Sequence, residues 1–282
     1  MPAELMKGPP VAERVRERVR NEVAGLGHVG LATVLVGDDP ASSIYVTRKH
    51  EAAVAAGVES FDRRLPAETT QEELLAILDE LNGSDDVDGI LVQLPLPSQI
   101  DSERILRAVE PMKDVDGFHP FNAGQLYAGH PTFVPATPLG VMTLLEEHGV
   151  ALEGAEAVVL GRSTIVGKPM AHLLLGANAT VTVCHSRTRD LAARTRAAHV
   201  LVVGIGRARL VTADMVKDGA VVVDVGINRT ESGLEGDVDP GVADVASLLT
   251  PVPGGVGPMT IAMLLANTVK AARYRRNLLA FP

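Results

Sequence analysis

The chain has 282 residues, 46% hydrophobic and 22% charged, long enough to bury one large or two small cores. A formal charge of −9, 3% aromatics and no Trp argue against a nucleic-acid partner, which would want a basic face or stacking rings. The single Cys184 allows no intrachain disulfide, MPAELMKGPP has no apolar signal core, and no run is long enough to span a bilayer, so a cytoplasmic protein with no membrane partner is expected.

Val11, Val15, Val19 and Val23 recur every four residues among Arg and Glu, which predicts an amphipathic helix. A strand over 29–36 follows, ending at Gly37-Asp38-Asp39-Pro40, then a helix over 41–56 stopped by Gly57. A short strand over 60–65 leads to a helix over 70–81 with Leu74, Leu75, Leu78 and Leu81 inward. Asp88-Gly89 opens a strand over 90–94. The order β-α-β-α-β predicts a mostly parallel sheet.

Tyr45 and Lys49 are four apart and share one helix face, as a solvated pair or as part of a site. Gln93 interrupts an apolar strand near its carboxyl end, where ligands of open α/β sheets collect; a core Gln with satisfied hydrogen bonds is the alternative. Lys113-Asp114-Val115-Asp116-Gly117-Phe118-His119-Pro120 is too punctuated for a regular element and reads as a ligand-facing loop. Its carboxylates and His have no further partners at ligand spacing, so no metal is expected.

Thr137-Pro138 opens a helix that carries the chain into a second unit. A strand over 157–160 then breaks at Gly161-Arg162-Ser163-Thr164-Ile165-Val166-Gly167-Lys168-Pro169, and a helix follows. Strand, tight turn and helix N-terminus make an anion site of free N–H groups and the positive dipole end. The spacing is not G-x-G-x-x-G, so an ordinary βα turn is the competing reading. Strands over 180–184, 200–203 and 220–225 complete a mononucleotide-binding pattern. After Cys184 the chain offers Ser186 and Arg187, with Arg162 in the first turn, where an NAD site usually has a carboxylate. A guanidinium fork matches a 2′-phosphate, so NADP is the expected cofactor; solvated loop residues are the alternative. Pro251, Pro253 and Pro258, with Gly254, Gly255 and Gly257, specify a fixed path on which main chain approaches a flat ligand. A helix over 260–272 returns to the first half, setting two domains across a cleft.

Tyr45…Lys49, the run from Asp88 to Pro97, Lys113-Asp114-Val115-Asp116-Gly117, Gly161-Arg162-Ser163, Asp224-Val225-Gly226-Ile227-Asn228 and the Pro253–Pro258 stretch occur together and in this order. In these motifs the chain closely resembles the bifunctional methylenetetrahydrofolate dehydrogenase/methenyltetrahydrofolate cyclohydrolase family, over nearly its whole length. The resemblance implies an α/β fold of two domains across a cleft: an α/β folate-binding catalytic domain over 1–138, completed by 259–282, and a Rossmann-like NADP-binding domain with a parallel sheet over 139–258. It also implies a small-molecule folate substrate and a homodimer. By position, Tyr45, Lys49, Gln93 and Asp116 are implied catalytic residues, with Lys49 the catalytic amine. Val92, Leu94, Pro253, Gly254, Gly255, Val256, Gly257 and Pro258 join them in holding folate, and Gly161, Arg162, Ser163, Ser186, Arg187 and Ile227 hold NADP.

The chain departs from the family pattern in three places. Glu51 stands where a second Lys is common, Ala136 replaces a Cys in Pro-Cys-Thr-Pro, and Val203-Gly204-Ile205-Gly206-Arg207-Ala208 lacks a Pro after its second Gly. A dehydrogenase without the hydrolase and a silent NADP-binding module are the other readings. Retention of Tyr45, Lys49 and Gln93 together argues against the first.

Overall fold

Apolar β-branched runs build two separate parallel sheets in the computed structural model, which describes residues 2–231 and 233–282. The chain opens with β1 (Glu4–Leu5) and α1 (Gly8–Leu26), in which Val11, Val15, Val19 and Val23 are all buried, as their spacing requires. Next come β2 (Gly30–Val36), α2 (Pro40–Ala55), β3 (Glu59–Leu65), α3 (Gln71–Gly83) and β4 (Gly89–Val92). The three strands pair in the order β3-β2-β4, all parallel. Central β2 is buried at every position, as a strand covered on both faces must be.

Local signals explain the helix limits. Asp39 caps α2 by accepting from the Ser42 N–H, with Pro40 in its first turn. Thr70 and Glu73 form a reciprocal capping box at the start of α3. Leu74, Leu78 and Leu81 of α3 join Ala32, Val34 and Ile90 in one core, while Leu75 packs against it only partly buried. α4 (Ser102–Ala108) and α5 (Pro120–Tyr127) complete this stretch.

The rest of the chain forms α6 (Ala136–Glu147), β5 (Glu156–Leu160), α7 (Gly167–Gly176), β6 (Thr180–Cys184), α8 (Leu191–Thr195), β7 (Val200–Val203), β8 (Val221–Asp224), the hairpin β9 (Asn228–Thr230) and β10 (Gly233–Glu235), β11 (Leu248–Leu249) and α9 (Val256–Arg275). Six strands make a parallel sheet ordered β1-β11-β8-β7-β5-β6. The strand after β5 lies on one side of it and the next, β7, on the other. That reversal is the switch point at which doubly wound sheets open a crevice beyond their carboxyl ends.

Two compact units result, one of residues 14–136 with 261–282, the other of residues 2–13 with 137–260. The first residues go with the six-stranded sheet because β1 pairs with β11, a strand too short to leave a periodic signal in the sequence. α9 starts at Val256, so Val256, Gly257 and Pro258 form its first turn where the sequence reading has irregular loop. A proline there removes no intrahelical bond.

Candidate active sites

In the unit of residues 14–136 and 261–282, α2 carries Tyr45 and Lys49 one turn apart. Gln93 follows β4 directly and still donates its backbone N–H to Val34 O at 2.8 Å, so its position is fixed by the sheet. Its Nε2 donates to Leu94 O at 2.7 Å, which turns Oε1 to accept from Lys49 Nζ at 3.0 Å. Gln93 is therefore joined to the amine and is not a self-contained core residue. Burial pulls the Lys49 amine below the usual lysine range, and the Asp116 carboxylate opposes that fall. Asp116 is pushed up to about 6, by burial first; Lys49 works against the rise and Asp114 adds to it. For both groups desolvation outweighs the mutual attraction.

The loop over 113–120 divides its ionisable groups between structure and site. Lys113 is buried and donates to the carbonyls of Leu81, Asn82 and Ser84, closing the carboxyl end of α3. Asp114 is buried and accepts from the His119 N–H and Asn122 Nδ2, each at 2.8 Å. His119 Nδ1 accepts from the Phe121 N–H and caps α5. The expected ligand-facing loop thus narrows to Asp116, with Lys113, Asp114 and His119 spent on holding it. Gly117 has φ +69°, and a Cβ there would lie 3.0 Å from Pro135 N, so only glycine passes.

Asn267 on α9 is a residue that the sequence reading missed. Its buried Nδ2 donates to Val115 O at 2.8 Å and Val134 O at 2.9 Å, pinning the main chain beside Asp116. The available signal was a polar pair, Asn267-Thr268, inside an apolar helix.

In the unit of residues 2–13 and 137–260, the turn after β5 is shaped by glycine. Gly161 has φ +132°, and a Cβ on it would overlap Gly204 O beyond β7; one on Gly167 would overlap Gly161 O. Gly161 N donates to Cys184 O at 2.8 Å and Gly204 N to Leu160 O at 2.9 Å, which draws the ends of three neighbouring strands together at the switch point. The helix N-terminus is less free than the sequence reading expects. Ser163 Oγ accepts from the N–H groups of Val166 at 3.1 Å and Gly167 at 3.3 Å, a local cap by the chain's own hydroxyl.

Arg162, Ser163, Ser186 and Arg187 are all exposed, and among the described residues neither guanidinium has a hydrogen bond or ion pair. The 185–188 turn is fixed by the His185 N–H donating to Thr188 Oγ1 and the Arg187 N–H donating to His185 Nδ1. Ile227, beyond β8, is 46% exposed, an apolar surface at the same sheet edge. A crevice floor cleared of side chains, two uncommitted cations and no carboxylate after β6 fit a dinucleotide with an extra phosphate. Nearby, Gly254 O accepts from the Gly8 N–H at 2.9 Å, and Thr250 Oγ1 accepts from the Asp224 N–H at 2.7 Å; these bonds fix both flanks of the proline- and glycine-rich stretch.

Comparison with known proteins decides the family. Residues 6–116 match the model of the tetrahydrofolate dehydrogenase/cyclohydrolase catalytic domain, and residues 135–276 that of the NAD(P)-binding domain of the same enzymes. The chain belongs to the tetrahydrofolate dehydrogenase/cyclohydrolase family. It is 58% identical to the bifunctional protein FolD of Oleidesulfovibrio alaskensis over 96% of this chain and 98% of that protein. Among solved structures, FolD of Campylobacter jejuni matches with a TM-score of 0.95 and 50% identity, covering 97% of this chain and 99% of that one. The Trypanosoma brucei enzyme, solved with NADP cofactor and an inhibitor, matches at 0.93 and 40% over 99% and 100%. As a member of this family the chain is an α/β protein with a catalytic and an NAD(P)-binding domain.

Proposed function

We propose that the chain oxidises 5,10-methylenetetrahydrofolate with NADP⁺ and hydrolyses the methenyl product to 10-formyltetrahydrofolate. Folate chemistry is assigned to residues 14–136 with 261–282, and cofactor binding to residues 137–260 around Gly161, Arg162, Ser163, Ser186, Arg187 and Ile227. The observation that carries the reading is the Lys49–Gln93 contact beside Asp116. When bound, NADP⁺ supplies the acceptor for the hydride that leaves the one-carbon bridge. The cation left behind is stabilised by its own two nitrogens, so no side chain has to remove a proton in that step.

Water addition is different. Lys49 takes a proton from the attacking water as its oxygen bonds to the bridge carbon. The adduct then opens as its hydroxyl proton passes to the departing ring nitrogen, so one proton is released overall. An amine serves as base only when neutral, and burial moves Lys49 toward that form. Gln93 Oε1 holds the amine without adding charge. Asp116 accepts from pterin N–H donors. Val92 and Leu94 flank Gln93 in the chain, Val92 with its side chain in the core and Leu94 half-buried, and Tyr45 shares the Lys49 face.

Preference for NADP⁺ over NAD⁺ rests on the unpaired Arg162 and Arg187. We read the active form as a cytoplasmic homodimer joined through the cofactor-binding units. The edge strand β6 with Val183, and Leu175 on α7, leave apolar surface at the side of that sheet. Among the described residues no helix is long and apolar enough to cross a membrane. One reaction with methylenetetrahydrofolate and either cofactor, followed at the NADPH and methenyl absorbances, tests the proposal. Reduction of NADP⁺ with transient methenyl signal is expected; no reduction of either cofactor rejects it.

A further inference from the structure

The segment beyond β7 runs through Gly204, Ile205, Gly206 and Arg207, against the Gly161 turn at the switch point. Its backbone N–H groups do not face the crevice. Ile205 and Gly206 donate to Asp237 Oδ2 at 2.6 and 2.9 Å, and Arg207 donates to Oδ1 at 2.8 Å. Gly206 at φ +66° bends the chain so that three successive N–H groups converge on one point. Convergence of this kind is the geometry in which protein loops bind phosphate. Here the anion is the protein's own carboxylate. Asp237 is fully buried, Asn228 Nδ2 gives it a fourth donor at 2.9 Å, and a Cβ on Gly226 would clash with its Cγ, so the chain makes room for it.

A second carboxylate holds the first. Asp224, at the end of β8, accepts from the N–H groups of Gly226 at 2.9 Å, Asp237 at 3.0 Å and Val238 at 3.0 Å. Burial and the neighbouring Asp237 both push its carboxyl up, to about 6, against those three hydrogen bonds. Bringing two carboxylates so close is unfavourable in itself, and a purely structural staple could be made from neutral groups.

We propose that Asp237 is a positioning residue of the cofactor site: an internal anion that fills the phosphate nest at Ile205–Arg207, fixing that wall and leaving the β5 turn to receive the cofactor phosphates. This rests on the assignment of the cofactor site above.

The test is steady-state kinetics of both activities in Asp237→Asn, which keeps the shape but turns an amide N–H toward the loop. KM for NADP⁺ should rise roughly tenfold or more, the effect of losing charge-assisted hydrogen bonds, while KM for folate and the cofactor-free hydrolysis of methenyltetrahydrofolate stay within about twofold. Gly206→Ala is the second variant: its Cβ meets open space, so only the left-handed backbone is disturbed, and KM for NADP⁺ should rise about fivefold. If Asp237→Asn does not give a cooperative melt, Gly206→Ala alone decides. An unmodified enzyme active with NADP⁺, with every folded variant holding KM within about twofold, overturns the inference. Loss of hydrolysis in parallel with the KM change overturns it too, as a general structural role. An unmodified protein that reduces no cofactor rejects the assignment of function instead.

Discussion

Around Lys49 side chains are held in contact and partly out of water, whereas around Gly161 main chain comes close to main chain and the charged side chains are left in solvent. The contrast follows from what each region has to do. A proton is moved by a group whose protonation is balanced, and balance requires desolvation against a nearby charge. Binding a dinucleotide asks for close approach, which excludes side chains, and for mobile cations that a phosphate can recruit. A change at one region should therefore separate the two activities.

The largest separation is expected at Lys49. Lys49→Gln keeps most of the length and removes the titratable amine. Loss of general-base help typically lowers a rate 10²–10⁴-fold, about 3–5 kcal/mol of barrier. Hydrolysis should fall by that order while dehydrogenase falls far less, so methenyltetrahydrofolate accumulates as NADPH forms. Hydrolysis at the unmodified rate in a folded variant would remove Lys49 from the mechanism. The converse change is Gly161→Ala, whose Cβ would overlap Gly204 O at a φ of +132°. Strained backbone of that kind costs roughly 1–3 kcal/mol, so NADP⁺ affinity by calorimetry should drop about ten- to a hundredfold. Hydrolysis of methenyltetrahydrofolate, which needs no cofactor, should be spared.

Much of this contrast was legible in the sequence, for reasons specific to each element. The strand over 200–203 coincides with β7 because a buried parallel strand reads as an unbroken apolar run, whereas 180–184 coincides with the edge strand β6 through the β-branched residues of Thr180-Val181-Thr182-Val183. Tyr45 and Lys49 stood out by sharing one helix face, and Gln93 as a polar group in an apolar strand. What the sequence hid was long-range pairing. β1 has two residues, and only its partner β11 makes it a strand. Lys113, Asp114 and His119 resemble site residues until their bonds to α3, Asn122 and α5 are seen. Asp237 hides among the acidic residues of a loop-rich stretch, and only the fold shows that three N–H groups converge on it.

A smaller effect sharpens the cofactor side. Arg162→Ala and Arg187→Ala each remove one exposed cation with no protein partner, so neither should disturb folding. Each should narrow the preference for NADP⁺ over NAD⁺ by roughly five- to tenfold, the scale of one charge-assisted contact in water. The ratio of kcat/KM for the two cofactors is the measurement. Equal efficiency in the unmodified protein would show that these guanidinium groups do not read the 2′-phosphate.

The finest test concerns how Asp116 acts on Lys49. Protonated Lys49 is inactive as a base, so kcat for hydrolysis should rise with pH through the amine's titration, while the dehydrogenase step shows no such limb. In the folded protein burial lowers the Lys49 pKa and the Asp116 carboxylate raises it. Asp116→Asn removes the raising influence and leaves burial unopposed. The amine should then lose its proton more readily, and the limb should move to lower pH. KM for folate should increase at the same time, because the amide accepts pterin N–H donors less well than the carboxylate. The two readouts separate two roles. A higher KM with an unmoved limb makes Asp116 a folate contact alone. A limb moved downward makes it also the charge that holds Lys49 partly protonated, and so sets the pH at which the second reaction keeps pace with the first.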